Sequence, residues 1–186
     1  MKLDITEEIE LPQGVQAARE GQLLVVKGPK GEVKRKFVHH KVDVKIAGSK
    51  LVINSKKATK REKTAVYTLI AHLKNMIHGV QKPFVYKLKA CSGPPASHFP
   101  MQITVANNTF TIKNFLGEKV PRILKLKQGV NVKINGTEIT VESSDIEIAG
   151  ATASELELAT NIPNKDQRIF QDGIYIVEKP ERDVAA

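Results

Sequence analysis

The chain carries the same bend twice. Residues 25–33 read VVKGPKGEV and residues 111–119 read TIKNFLGEK. Each runs from apolar or β-branched residues to a lysine, through a turn, to a Gly-Glu pair and a returning strand. Lys27 answers to Lys113, Gly31 to Gly117 and Glu32 to Glu118, all at an offset of 86. The repeat continues downstream, where VKIAGSKLVI at 44–53 matches VKINGTEITV at 132–141 at an offset of 88. In each copy a strand reaches Ala47-Gly48 or Asn135-Gly136 and turns back; Asn-Gly is the preferred pair of a tight type I′ hairpin. A capping-box pattern then opens a helix in both halves, at Thr59-Lys60-Arg61-Glu62 and, 93 residues later, at Thr152-Ala153-Ser154-Glu155.

The first helix is the longer. Ala65, Val66, Leu69, Ile70, Leu73, Met76, Ile77 and Val80 fall at three- and four-residue spacing, one apolar face that Gly79 is expected to end. In the second, Leu156, Ala159 and Ile162 share a face and Pro163 is expected to stop it. Hairpin, hairpin and helix, in the same order twice, mark an internal duplication. The expected fold is α+β: two similar tandem domains, each an antiparallel or mixed sheet packed against one helix. The expected domains are residues 1–82 and 83–180, with 181–186 as a free tail. Halves of that size must cover their sheets with a helix to bury a core.

Charge narrows the partner. The net charge is +9, which points to a polyanion. No helix pairs a Lys/Arg face with large apolar anchors, and no run of 18 apolar residues exists, so a membrane is not expected. There is no Trp and only 5% aromatic residues, too few for a stacking platform under single-stranded bases. Contact with the backbone and shape of folded RNA fits better. The lone Cys91 excludes an internal disulfide and suits a reducing cytosol. Residues 1–82 hold a net +9 and residues 83–186 a net zero, the latter split into +7 over 83–133 and −7 over 134–186.

No catalytic, metal or cofactor site is assigned. Cys91 and His98 lie seven apart on one loop, but no orienting third group accompanies them. His39-His40, His72 and His78 form no metal-ligand pattern. GPKGEVKRK lacks the spacing of a phosphate-binding loop and opens a strand instead of a helix. The basic clusters carry more. KKATKREK at 56–63 puts Lys56, Lys57, Lys60 and Arg61 at a helix start that the macrodipole already makes positive. Such a cluster calls for an anion, and helix N-termini are anion sites. The late segment NKDQRIFQDGIYIVEK at 164–179 mixes Lys165, Arg168 and Lys179 with Phe170, Gly173 and Tyr175. Its cations suit RNA phosphate, and Gly173 is expected to turn the chain and to let backbone approach RNA closely.

In VVKGPKGEVKRKF, IKNFLGEK and above all RIFQDGIYIVEK, the chain resembles the family of large-ribosomal-subunit protein six, in its archaeal and eukaryotic branch. The branch pattern R-x-F-x-D-G-aliphatic-Tyr-aliphatic-x-x-basic is met by Arg168, Phe170, Asp172, Gly173, Ile174, Tyr175, Ile176 and Lys179. Ile162 and Lys165 also fit, while Leu158 stands where the pattern opens with Gln. The resemblance spans roughly residues 5–180. It implies a duplicated α+β fold, no catalysis, and a cytoplasmic, structural role in the ribosome. The implied partner is large-subunit rRNA near the sarcin–ricin loop and the base of the factor-binding stalk, with neighbouring ribosomal proteins around it and no small-molecule substrate.

The resemblance also implies that the second domain is the main rRNA binder. The residues expected there are Lys113, Asn114, Lys119 and Arg122 at the second bend, with Phe115 or Leu116 packing inward. Lys87, Lys89, Ser92 and His98 precede them, and Lys165, Arg168, Gly173 and Lys179 follow. Lys56, Lys57, Lys60 and Arg61 form a secondary set. The alternative reading is a stand-alone RNA-binding or RNA-chaperone module outside the ribosome.

Overall fold

The computed structural model describes residues 3–91, 100–166 and 168–180. Ser92, His98 and the segment 181–186 lie outside the described residues. The chain divides into two compact units, Met1–Pro83 and Phe84–Ala186.

Unit 1 comprises β1 (Leu3–Glu10), β2 (Gln16–Glu20), β3 (Leu23–Gly28), β4 (Gly31–Lys36), β5 (Asp43–Ala47), β6 (Lys50–Ala58) and α1 (Lys60–Gln81). They form two antiparallel sheets, ordered β1-β6-β5 and β2-β3-β4. β6 alternates: Leu51, Ile53 and Ser55 are buried, while the residues between them face outward. The helix buries Val66, Leu69, Leu73, Met76, Ile77 and Val80 against them. Burying one such side chain contributes about 1.5–3 kcal/mol, so packing more than propensity holds α1 in place.

Unit 2 repeats the order with β7 (Phe84–Cys91), β8 (Gln102–Ala106), β9 (Thr109–Lys113), β10 (Arg122–Lys125), β11 (Val130–Asn135), β12 (Glu138–Ser143) and α2 (Ile146–Ala159). It adds β13 (Gly173–Glu178) on the open side of β7, giving sheets ordered β11-β12-β7-β13 and β10-β9-β8. Ala149, Thr152, Ala153 and Leu156, at helical spacing, are buried on α2. Phe110, Ile112, Phe115, Ile139 and Ile174 are also in this unit's core.

The duplication stands, and several local expectations are corrected. α2 is capped by Asp145, whose carboxylate accepts the Glu147 N–H at 2.8 Å, and not by the Thr152 box. Asp145 lies 86 residues after Thr59, the same offset as the bends. Thr152 is interior; its hydroxyl donates to the Ile148 carbonyl one turn back. α1 runs through buried Gly79 to Gln81, just ahead of Pro83, which disfavours helical geometry in its predecessor. α2 ends at Ala159, where the Thr160 hydroxyl and N–H bond back to Glu157; Ile162 and Pro163 lie beyond it. The two-residue hairpin loops are Gly48-Ser49 and Gly136-Thr137, one residue later than expected. Only the glycine of each has positive φ, +59° and +62°, the pattern of a type II′ turn and not I′.

Each bend is docked on the end of its own helix. In unit 1 the bend is a tight Pro29-Lys30 loop, and the Lys30 N–H donates to the Val80 carbonyl at 2.9 Å. A Cβ on Gly28 would lie 2.7–2.8 Å from the Val80 side chain, so only glycine lets β3 approach α1 there. In unit 2 the return strand starts at Arg122, several residues later than the Gly-Glu pair suggests, because Asn114 and Leu116 take left-handed backbone (φ 57° and 48°) in a longer loop.

Candidate nucleic-acid interface

The second bend sorts its residues by packing. Phe115 is buried and Leu116 half-buried against the core of unit 2. Lys113 and Lys119 are exposed on either side, and the Asn114 side chain donates to the Pro100 carbonyl at 3.3 Å. Arg122 is the structural member of the group. Its guanidinium carbon lies 4.4 Å from the Phe115 ring centroid. Nε donates to Glu118 at 2.8 Å and Nη2 to the other Glu118 oxygen at 2.5 Å. Nη1 donates to the carbonyls of Ala159, at 2.8 Å, and Asn161, at 3.1 Å. A cation on the last carbonyls of α2 satisfies acceptors that the helix leaves open and favours its dipole. The Glu118 hydrogen bond raises the Arg122 pKa, and Arg122 in turn lowers that of Glu118. Arg122 thus ties the bend to α2 with most of its donors.

Lys125, outside the set expected from the sequence, is exposed on β10 beside exposed Ile123, in the same alternating pattern that turns Leu124 inward. Period-two alternation from the buried Phe110 and Ile112 of the paired strand β9 was the signal for it.

On β7, Lys87 and Lys89 point to the outer face, and Leu88 to the core. Lys87 is paired with Glu178 at 2.7 Å, which raises the lysine pKa. Lys89 stands opposite Glu138 on β12 and Tyr175 on β13. This face mixes charges instead of concentrating positive charge.

The segment after α2 presents cations on a turn. Lys165 Nζ lies 4.4 Å from the Phe170 ring centroid, and Arg168 forks onto Asp166 with a side chain 90% exposed. Lys179 is exposed just past β13. Gly173 does not make the expected turn. It opens β13 opposite Cys91, and a Cβ on it would come within 3.2 Å of the Tyr175 ring and 3.3 Å of the Thr160 hydroxyl. Its packing against protein explains the glycine. On the far side of β13, Thr160 accepts the Ile174 N–H at 2.9 Å and Glu157 accepts the Ile176 N–H at 3.2 Å, so side chains of α2 and its C-terminal cap occupy the free edge of the sheet.

In unit 1, Lys56, Lys57, Lys60 and Arg61 are all exposed. Lys57 has φ 50°, and its N–H donates to Asp4 at 2.6 Å. The anion that this cationic helix start calls for is in part supplied from within. The buried Glu62 carboxylate accepts from the Thr59 N–H at 2.8 Å and from the Thr59 hydroxyl, and pairs with Lys41 at 3.1 Å. The Thr59 hydroxyl first, then Lys41, holds the Glu62 pKa down to about 2.

Among the described residues no group of three or more His, Cys, Asp and Glu side chains could hold a metal, and no helix is long and apolar enough to cross a membrane. Cys91 is half-buried at the end of β7, with Sγ 4.0 Å from the Lys89 carbonyl.

These features define a class: a tandem-duplicated α+β protein with exposed cations on both copies. A family model described as ribosomal protein L6 matches residues 11–83 and again 99–173, one match in each unit. The chain is 42% identical over 174 residues to a protein named large ribosomal subunit protein uL6 from Sulfurisphaera tokodaii, covering 93% of this chain and 91% of that one. It is 43% identical to the uL6 of Methanococcus vannielii and 42% identical to that of Aeropyrum pernix, each over 94% of both chains. The chain belongs to the ribosomal protein L6 family.

Proposed function

We propose that the protein is a structural, non-enzymatic constituent of the large ribosomal subunit in the cytoplasm, and that it supports translation by holding large-subunit rRNA. The observation that carries this reading is likeness over nearly the whole chain, through both units, to proteins named for that subunit. The main rRNA contact is assigned to unit 2, near the sarcin–ricin loop and the base of the factor-binding stalk, among neighbouring ribosomal proteins. Lys113, Lys119, Lys165, Arg168 and Lys179 are the exposed cations best placed to meet phosphate. Asn114, Lys87 and Lys89 add polar contacts at the margins, and Arg122 positions the bend. Lys56, Lys57, Lys60 and Arg61 make supporting contacts. The role is architectural: the protein steadies the surface on which GTP-driven factors land.

Co-sedimentation tests it. Tagged protein should remain with large subunits through a high-salt wash. Release of all the protein into the free fraction at moderate salt would instead favour a stand-alone RNA-binding module. Cys91→Ser should assemble and support translation as the parent does, since no chemistry is assigned to the thiol.

A further inference from the structure

The duplication leaves one strand position filled in unit 2 and open in unit 1. β1 and β7 are counterparts: Ile9 stands opposite Leu51, and Leu88 opposite Ile139, which matches Leu51 at the repeat offset of 88. In unit 2 the other edge of β7 is paired with β13. In unit 1, β1 is the last strand of its sheet, and among the described residues no strand pairs with its other edge. We propose that this edge receives a basic, extended segment of a partner protein, running antiparallel to β1 as β13 runs to β7. The inference goes beyond the ribosomal reading, because its subject is a protein partner of unit 1 and not rRNA.

The register says what the segment must carry. On the outer face of β7, Lys87 faces Glu178 of β13 and Lys89 faces Tyr175, and the Lys87–Glu178 ion pair closes at 2.7 Å. The matching positions of β1 are Glu8 and Glu10. They stand opposite Val52 and Lys50, as Lys87 and Lys89 stand opposite Thr140 and Glu138. The charge of the edge is therefore reversed. Both glutamates are exposed, and they share one ammonium, Lys50, at 3.4 and 3.2 Å. A strand with Lys or Arg at the places of Tyr175 and Glu178 supplies the cations that this edge lacks. Opposite charges across a strand pair favour pairing, and like charges oppose it. The same rule rejects two other occupants: β1 of a second copy is acidic, and RNA phosphate is an anion.

The inward positions ask for apolar residues. Ile176 of β13 stands opposite Leu88, and the fully buried Ile174 opposite Ala90. The corresponding neighbours in unit 1 are Ile9, in the core, and Leu11, packed against it. Tyr67 of α1 donates to Glu7 at 3.0 Å with 46% of its surface exposed, which leaves aromatic surface beside β1 for inward side chains to cover. Strand addition takes affinity from main-chain hydrogen bonds and specificity from alternate side chains. The fitting segment thus alternates apolar residues with Lys or Arg.

The test titrates the full chain with the acetylated, amidated peptide Gly-Ile-Lys-Ile-Val-Lys, the β13 sequence with lysine at the places of Tyr175 and Glu178. Amide NMR shifts should move along β1; shifts confined to other elements overturn the site. The lysine peptide should bind about tenfold tighter than the same peptide with glutamate at both places. Equal affinity for the two overturns the basic partner. The double variant Glu8→Gln, Glu10→Gln should lose the preference, with thermal melts as the check on its fold. On the parent chain, the lysine peptide N-methylated at the alternate residues that face β1 should not bind, because it cannot form the ladder. Undiminished binding of that peptide means attraction by charge alone and overturns the added strand. In purified large subunits, a photoreactive residue in place of the exposed Thr6 should crosslink to a Lys/Arg-rich protein segment. A crosslink to rRNA, or none, overturns the partner while the ribosomal reading stands. Absence of the chain from large subunits overturns the ribosomal reading instead, and the peptide titrations then decide the edge alone.

Discussion

The Arg122 guanidinium carbon lies 4.4 Å from the centroid of the Phe115 ring, and the same side chain reaches the Ala159 and Asn161 carbonyls at the end of α2. In unit 1 the corresponding bend meets its helix end through backbone, from Lys30 N–H to Val80 carbonyl. The duplicated bend is thus a clasp on the C-terminus of each helix. In the first copy glycine allows direct contact. In the second a longer loop has moved away, and an arginine spans the distance.

Arg122→Lys should therefore act on stability and not on RNA affinity. A lysine keeps the charge but not the fork that serves a carboxylate and two carbonyls together. The expected loss is about 1–3 kcal/mol by urea unfolding, from charged hydrogen bonds and the cation–π contact. Lys119→Gln should leave stability unchanged and reduce the salt slope of RNA binding. An Arg122→Lys protein with parental stability and a reduced slope would make Arg122 a phosphate ligand instead of a clasp.

Gly28→Ala should destabilise unit 1 by about 1–3 kcal/mol, the usual cost of overpacking a core. The strain is spatial, since the new methyl would meet the fully buried Val80 side chain. Val80→Ala in the same chain should recover part of that loss, although alone it leaves a cavity. Equal melting temperatures for parent and Gly28→Ala would show that β3 can withdraw from α1 freely.

The acid limb of stability should report on Glu62. Its pKa in the folded protein is about 2, below the unfolded value of about 4.3. Its contribution is complete above the unfolded pKa and disappears as pH falls through the folded one. Melting of unit 1 should hold steady from neutral pH to about 5 and then fall between about 4.5 and 2. Glu62→Gln should lower the melting temperature at pH 7 and flatten that fall. A mutant whose acid transition is as steep as the parent's would assign the effect to other carboxylates.

Net charge and family likeness point to different halves for RNA binding, and salt titration separates them. Replacing Lys113, Lys119, Lys165 and Arg168 with Gln should reduce the log–log salt slope by about 0.7–0.9 for each phosphate no longer neutralised. Replacing Lys56, Lys57, Lys60 and Arg61 should reduce it less. The opposite ranking would place the main contact in unit 1, where the net charge of +9 lies.

Much of the architecture was legible in the sequence, because duplication writes the same local signals twice. Two hairpins and a helix per half and the apolar face of α1 from Val66 to Val80 follow from periodicity and turn chemistry, which act over a few residues, while packing decided that of Phe115 and Leu116 it is Phe115 that is fully buried. The family followed from RIFQDGIYIVEK for the same reason: the segment is contiguous. Long-range packing decided the rest. The Thr152 box has the letters of a helix cap, but Thr152 is buried against the sheets, and Asp145 is free to take the N–H instead. Gly173 has the letters of a turn, and its role is set by the Tyr175 ring and Thr160 hydroxyl above it. Arg122 reads as one more basic residue until the fold brings the Ala159 and Asn161 carbonyls to it from 37 and 39 positions away. Arg19 and Asp43, 24 positions apart, meet only because the two sheets of unit 1 bring β2 beside β5. Sequence determines which side chains can carry charge and which must be buried. Only the tertiary structure decides which charges are spent on the protein's own carbonyls and carboxylates and which remain for RNA, because that depends on partners distant in the chain.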